Sequence, residues 1–252
     1  MPQTEGAGVA LHYEERGAGA PALLVHGMAS DAARWSAALD ELAAHGARAI
    51  ALDRRGYGSS GAPEPYAATT VQEQAQDAGA LLEALGAVPA LLAGEGFGAL
   101  VVLELLVRRP QLASAAVLAD PPLHAFVPAA TMALAVEREL LEDALREGGP
   151  EAAVRAWLGD GADPARAARA AAAHAGFFAD YAGQSSWSPS RRELRAIAVP
   201  VAVVTGASTP PHVVAAADAV AALVPRARRA ADGDLVAAVR ALLPGGDAPA
   251  LG

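Results

Sequence analysis

Short apolar runs alternate along the chain with longer stretches whose apolar residues recur every three to four positions. Positions 9–15 and 22–25 read as strands, separated by Gly17, Gly19 and Pro21. A loop at 26–30 follows, then a helical pattern over 31–44. Positions 48–52 form another short apolar run, ended by Asp53 and a glycine-rich loop, and 71–85 has helical periodicity closed by Gly86. Strands are expected again at 90–93 and 115–119, with a helix over 100–108 between them and Pro110 after it. Strands that alternate with helices predict an α/β fold, a mostly parallel sheet with right-handed crossovers and helices on both faces.

The alternation stops between Pro121 and Ala196, where the pattern is helical without a convincing strand. One helix is expected over 130–146, and another starts at Asp163-Pro164, a capping residue followed by proline at the first helical position. The sheet resumes at 201–205, followed by a helix over 212–223, a weak strand near Arg228, a last helix over 235–243 and a frayed tail at 245–252. The organisation expected is a core of residues 1–120 and 197–252 with a helical lid, 121–196, inserted between two strands.

Composition narrows the function classes. With 252 residues and 53% hydrophobic content the chain can bury one sizeable core. A net charge of -9 argues against a nucleic-acid binder, whose phosphate contacts need clustered Lys and Arg. No stretch approaches the roughly 20 apolar residues of a membrane span, and the first 19 residues are polar, so a cytoplasmic protein is expected. The absence of cysteine removes thiolate chemistry, and the scattered histidines offer no metal-ligand spacing. The expected partner is a small organic molecule, with no cofactor, nucleic acid or membrane.

Three motifs then occur in order. His26-Gly27 follows a strand, Asp53-Arg54-Arg55-Gly56-Tyr57-Gly58-Ser59-Ser60 follows the next, and Gly94-Glu95-Gly96-Phe97-Gly98 stands between a strand and a helix. Together they resemble the α/β-hydrolase superfamily over nearly the whole chain. In that family the elbow reads G-x-S-x-G, with the nucleophilic serine on a strained strand-to-helix turn. Here Gly94 and Gly98 keep the flanking glycines, and Gly96 stands where the resemblance puts the serine. Matching Gly206-Ala207-Ser208-Thr209 to the family's acid-bearing turn puts Thr209 at the acid position. Residues 213–252 contain no histidine, and Asp234 is the nearest counterpart of the family's base. All three triad positions are thus read as vacated. The oxyanion hole of the family uses backbone N–H groups, which the resemblance assigns to Met28 and Phe97.

Among polar residues, Asp120 closes a strand at the sheet's carboxyl edge, where ligands of open α/β sheets bind; it reads either as an acid–base group or as a turn former before Pro121-Pro122. His124 could face it across a helical turn as a carboxylate–imidazole pair, or face solvent. Glu95 beside the elbow reads as a buried carboxylate meeting a cation or N–H group, and His26 as mainly structural, both at the pocket wall. Trp35 reads as pocket lining or core, and His212 as pocket rim or first helical turn. The loop 53–60 is assigned to backbone geometry, its glycines permitting positive φ. A rival dinucleotide fingerprint, G-x-G-x-x-A over 94–99 with Asp120 as the acid, fails because two strands precede it and the spacing exceeds the roughly 20 residues expected. The leading expectation is a non-hydrolytic enzyme, a cyclase, dehydratase, decarboxylase or isomerase, acting on a carbonyl compound through Asp120. A non-catalytic ligand-binding protein and a hydrolase activating water through Asp120 and His124 are the alternatives.

Overall fold

The computed structural model describes residues 3–230 and 233–245. Its strands are β1 (Gln3–Glu5), β2 (Ala10–Arg16), β3 (Ala20–Val25), β4 (Ala47–Leu52), β5 (Ala90–Glu95), β6 (Ala113–Ala119), β7 (Val201–Val204) and β8 (Ala227–Arg229). They form one sheet in the order β1-β2-β4-β3-β5-β6-β7-β8. The β1–β2 and β2–β4 pairings are antiparallel, and the pairings from β4 through β8 are parallel. The helices are α1 (Ser36–Ala44), α2 (Val71–Ala84), α3 (Phe97–Arg108), α4 (Ala130–Leu158), α5 (Pro164–Ala172), α6 (His174–Ser186), α7 (Arg191–Arg195), α8 (Pro211–Leu223) and α9 (Leu235–Leu242).

The central strands are apolar on both sides because both faces are covered. Leu23 and Val25 of β3 pack with α2, α3 and α8, while Ala22 and Leu24 turn to the other face and pack with α1 and α9. Parallel pairing brings the carboxyl ends of β3, β5, β6 and β7 to one edge. The loops after them therefore share one side of the molecule, and α4, α5 and α6, all between β6 and β7, supply residues that close over it, while α7 pairs through Glu193 with Arg108 at the far end of α3. A third apolar cluster joins Leu141, Val154, Ala170 and Phe177 of these helices to Ala29 of the loop after β3.

Several boundaries differ from the sequence reading. The helix expected over 31–44 begins as a separate 3-10 turn, Ala32–Trp35, because Asp31 does not cap it and instead accepts from Arg169 Nε at 2.6 Å. The helix expected over 130–146 runs on to Leu158, broken at Gly149 (φ 76°) where Pro150 opens the second half. Asp163 caps α5 as expected, accepting from the Arg166 backbone N–H at 2.8 Å. The N-terminal strand β1 and the helices α6 and α7 carry no clear apolar period and were not legible. Among the described residues no helix is long and apolar enough to cross a membrane. Positions 246–252 of the expected tail lie outside the described residues.

Candidate functional site

The turn from β5 into α3 is built by glycines, two for space and one for conformation. A methyl group on Gly94 would overlap the Gly98 carbonyl, and one on Gly98 would overlap the Val25 carbonyl of the neighbouring strand. Gly96 between them has φ 55° and ψ -122°, a conformation that L side chains rarely adopt. The turn is held by Gly96 N–H donating to Ala119 O at 2.9 Å and Ala99 N–H donating to Gly96 O at 2.9 Å. A β-carbon on Gly96 would meet only Gly27 Cα, at 3.7 Å, so there is open space beside it. Phe97 is the first residue of α3, and its N–H has no intrahelical partner. The Met28 N–H likewise finds no acceptor among the described residues.

Beneath the turn lies a buried polar scaffold. Asp53 accepts from His12 Nδ1 at 2.7 Å, Ala32 N–H at 2.6 Å and Ser59 N–H at 2.8 Å. Arg54 donates to the His26 and Gly27 carbonyls, each at 2.9 Å, to Gln74 Oε1 at 2.6 Å and to Asp180 of α6 at 2.7 Å. Tyr57 and Gln74 also donate to Asp180, at 2.7 and 2.6 Å. Gly56 and Gly58 do take positive φ, at 78° and 55°. The expectation that the loop 53–60 serves almost wholly as backbone geometry is nevertheless corrected: its charged side chains fix the turn after β3 and tie α6 to the core.

His26 belongs to this scaffold and does not line the pocket as expected. It is fully buried, and its Nδ1 donates to Gly27 O at 2.7 Å while Nε2 accepts from Arg54 N–H at 3.1 Å. Burial first, and then the Arg54 charge beside it, push its pKa well below the usual histidine range against the opposing bond to Gly27 O, so the ring is neutral.

Two hollows open at the carboxyl edge. One, of about 280 Å³, is lined by Met28, Glu95, Gly96, Phe97, Asp120, His124 and His212, with residues of α4, α5 and α6 closing it. The other, of about 480 Å³, shares Glu95 and Asp120 and adds Trp35 and Asp234. The first therefore assembles most residues singled out from the sequence, whereas Trp35 and Asp234 face the second. Glu95 meets a cation as expected, Arg34 at 3.3 Å, but is partly exposed rather than buried. Asp234 caps α9, accepting from the Val236 and Ala237 N–H groups at 2.8 and 3.2 Å.

Asp120 is held by an unforeseen partner. Its φ of 47° lies in the left-handed region, which aspartate tolerates better than most residues. Thr209 Oγ1 donates to its carboxylate at 2.6 Å and accepts from Gly206 N–H at 2.8 Å. The expected pairing of Asp120 with His124 is not formed. The segment after β6 turns through Pro121-Pro122 into a 3-10 turn, His124–Phe126, which sets the His124 ring 5.6 Å from that of His212. Burial, and then the nearby His212, lower the His124 pKa to about 4.

That shift sets a sign for acid stability. A histidine titrating at about 4 when folded and near 6.5 when unfolded stabilises the native state fully above 6.5, and the contribution is lost as pH falls toward 4. His124→Gln removes this titration. The melting temperature of the variant is expected to gain on the wild type as pH is lowered from 7 to 4.5, and a constant difference across that range would refute the assignment. Among the described residues no group of three or more His, Asp or Glu side chains is placed to hold a metal ion.

Comparison with known proteins agrees with this architecture. An epoxide hydrolase of Caballeronia sordidicola is 37% identical over 103 residues, which cover 41% of this chain and 31% of that enzyme. The first curated relatives are matched over only 31% to 41% of their own length. Among solved structures, an α/β hydrolase from Sphaerobacter thermophilus superposes with a TM-score of 0.72 at 22% identity, covering 94% of this chain and 98% of that one. An enol-lactonase from Burkholderia xenovorans gives 0.72 at 22% identity, covering 94% and 93%. At such identities these structures speak for the fold alone. Residues 19–171 match the family described as serine aminopeptidase, S33, and the chain is thus a member of that family with the α/β-hydrolase fold.

Proposed function

We propose that the chain is an enzyme for a carbonyl-bearing small organic molecule that works without a serine nucleophile. The observation that carries this reading is Gly96: it stands at the positive-φ turn between β5 and α3 with open space beside it and a carboxylate, Asp120, on the same cavity wall. The N–H groups of Met28 and Phe97 would hold an oxyanion or enolate oxygen, stabilisation that needs no side chain and survives the loss of a nucleophile. Asp120, oriented by Thr209, would move the proton. His124 contributes a neutral imidazole, because a pKa of about 4 makes it a poor proton acceptor near pH 7. Cyclisation, dehydration, decarboxylation and isomerisation all fit this inventory. Residues 121–196 act in this reading as a lid that excludes water.

The test is covalent labelling by a fluorophosphonate, which reports an activated serine. Intact-mass measurement is expected to find the protein unmodified after prolonged incubation. A stoichiometric adduct would mean that another serine serves as nucleophile. A second reading, hydrolysis by water that Asp120 activates, is favoured by the hydrolase activities of the relatives. The two part in ¹⁸O-labelled water: hydrolysis puts the label into the product, and the non-hydrolytic reactions that consume no water do not.

A further inference from the structure

Among the described residues, four buried side-chain nitrogen or oxygen atoms have no hydrogen-bond partner: Trp35 Nε1, His124 Nε2, Arg166 Nε and Gln184 Oε1. Three of these residues line the 280 Å³ cavity. Buried polar groups are nearly always satisfied, so three unmet ones around one cavity point to a partner supplied from outside the chain. They come from separate elements, His124 from the turn after β6, Arg166 from α5 and Gln184 from α6.

The charges on the wall show what that partner carries. Glu95 is paired with Arg34, Glu137 accepts from Trp157 Nε1 at 3.0 Å, and Asp120 accepts from Thr209. Arg169, three residues along α5, is paired with Asp31. Arg166 is the arginine of the cavity wall that forms no ion pair among the described residues, although Asp120 and Glu137 line the same cavity. A guanidinium presents a rigid fork of donors that matches a carboxylate. Gln184 Oε1, by contrast, asks for an N–H or O–H donor.

We propose that this cavity is a recognition site for an organic acid, with Arg166 receiving the ligand's carboxylate and Gln184 accepting from a hydroxyl or N–H group of the same molecule. His124 lies between these demands as a neutral ring, able to hydrogen-bond without adding charge. Gln184 and His124 also border a neighbouring cavity of about 750 Å³, so a longer ligand can extend between the helices. The inference rests on the cavity being a ligand site, as in the proposed function, and not on Asp120 being catalytic.

The test uses 2-, 3- and 4-hydroxyphenylacetate and the three matching amides, titrated calorimetrically into the wild type, Arg166→Gln and Arg166→Lys. At least one acid is expected to bind about tenfold or more tightly than its amide, the difference that a charge-assisted hydrogen bond makes. Arg166→Gln should abolish that preference and Arg166→Lys keep part of it. Because Arg166 has no side-chain partner among the described residues, Arg166→Gln should melt no lower than the wild type. Equal binding of every acid and its amide, or a preference that survives Arg166→Gln, overturns the proposal. Asp120→Asn is expected to retain acid binding, so an unchanged turnover in that variant would remove the catalytic reading and leave this one standing.

Discussion

Asp180→Ala is expected to lower stability by about 3–5 kcal/mol, the cost typical of removing one partner from a buried ion pair. Asp180 and Arg54 are 0% and 1% exposed. Without the carboxylate, the Arg54 guanidinium stays buried with no counter-ion, and Tyr57 and Gln74 each lose an acceptor. Urea denaturation measures the loss, which for a chain of this size corresponds to a melting temperature lower by roughly 6–20 °C. Replacing both charges, with Arg54→Met and Asp180→Leu together, should cost less than the two single changes combined, since neither charge is then stranded. A loss below about 1 kcal/mol for Asp180→Ala would mean that water reaches the pair, because exposed pairs are worth no more than that.

This network also explains where sequence reasoning stopped. The sheet was legible because buried parallel strands must be short apolar runs, and 22–25, 90–93 and 115–119 are such runs. The elbow was legible because its glycines answer to local contacts: Gly98 fits only because it packs against Val25 O. Arg54, Arg55 and Asp180 were not, because a charged residue reads as solvent-exposed until its partner is found, and Arg54 and Asp180 are 126 positions apart. α6 was obscured for the same reason, since its buried face carries Asp180 beside Phe177 and Ala179. Arg166 and Gln184 gave no signal at all. One reads as an ordinary first-turn residue of α5, and the other as a polar position on a helix.

The site residues divide similarly. The place of Asp120 on the cavity wall was legible because a carboxylate at the end of an apolar strand must emerge at the carboxyl edge of the sheet. Its support was not found, because Thr209 reads as a filling of the vacated acid position, while its hydroxyl in fact orients Asp120. The His124 pairing failed on backbone geometry: two prolines precede the turn, and a residue before proline is steered away from the helical conformation that would have stacked the ring over Asp120.

Asp120→Asn is expected to reduce turnover of the native substrate by about 10² to 10⁴-fold, the usual contribution of a general acid–base group, which corresponds to roughly 3–5.5 kcal/mol at the transition state. The substitution isolates proton transfer well here. Asparagine, like aspartate, tolerates the left-handed conformation that φ 47° imposes, so the turn after β6 keeps its path. Its amide oxygen can still accept from Thr209, so the hydrogen bond at 2.6 Å need not be lost. Melting temperature and ligand affinity should therefore stay near wild type while turnover falls. Thr209 supplies the internal comparison. Thr209→Ala leaves Asp120 ionisable but unoriented and should reduce turnover by less than Asp120→Asn, and Thr209→Ser, which keeps the hydroxyl, should restore most of it. Rates on a substrate found by screening esters, lactones and keto acids decide the matter. If Asp120→Asn stays within about threefold of the wild type, below what acid–base catalysis contributes, Asp120 serves only to close the strand. The chemistry would then have to come from elsewhere on the cavity wall.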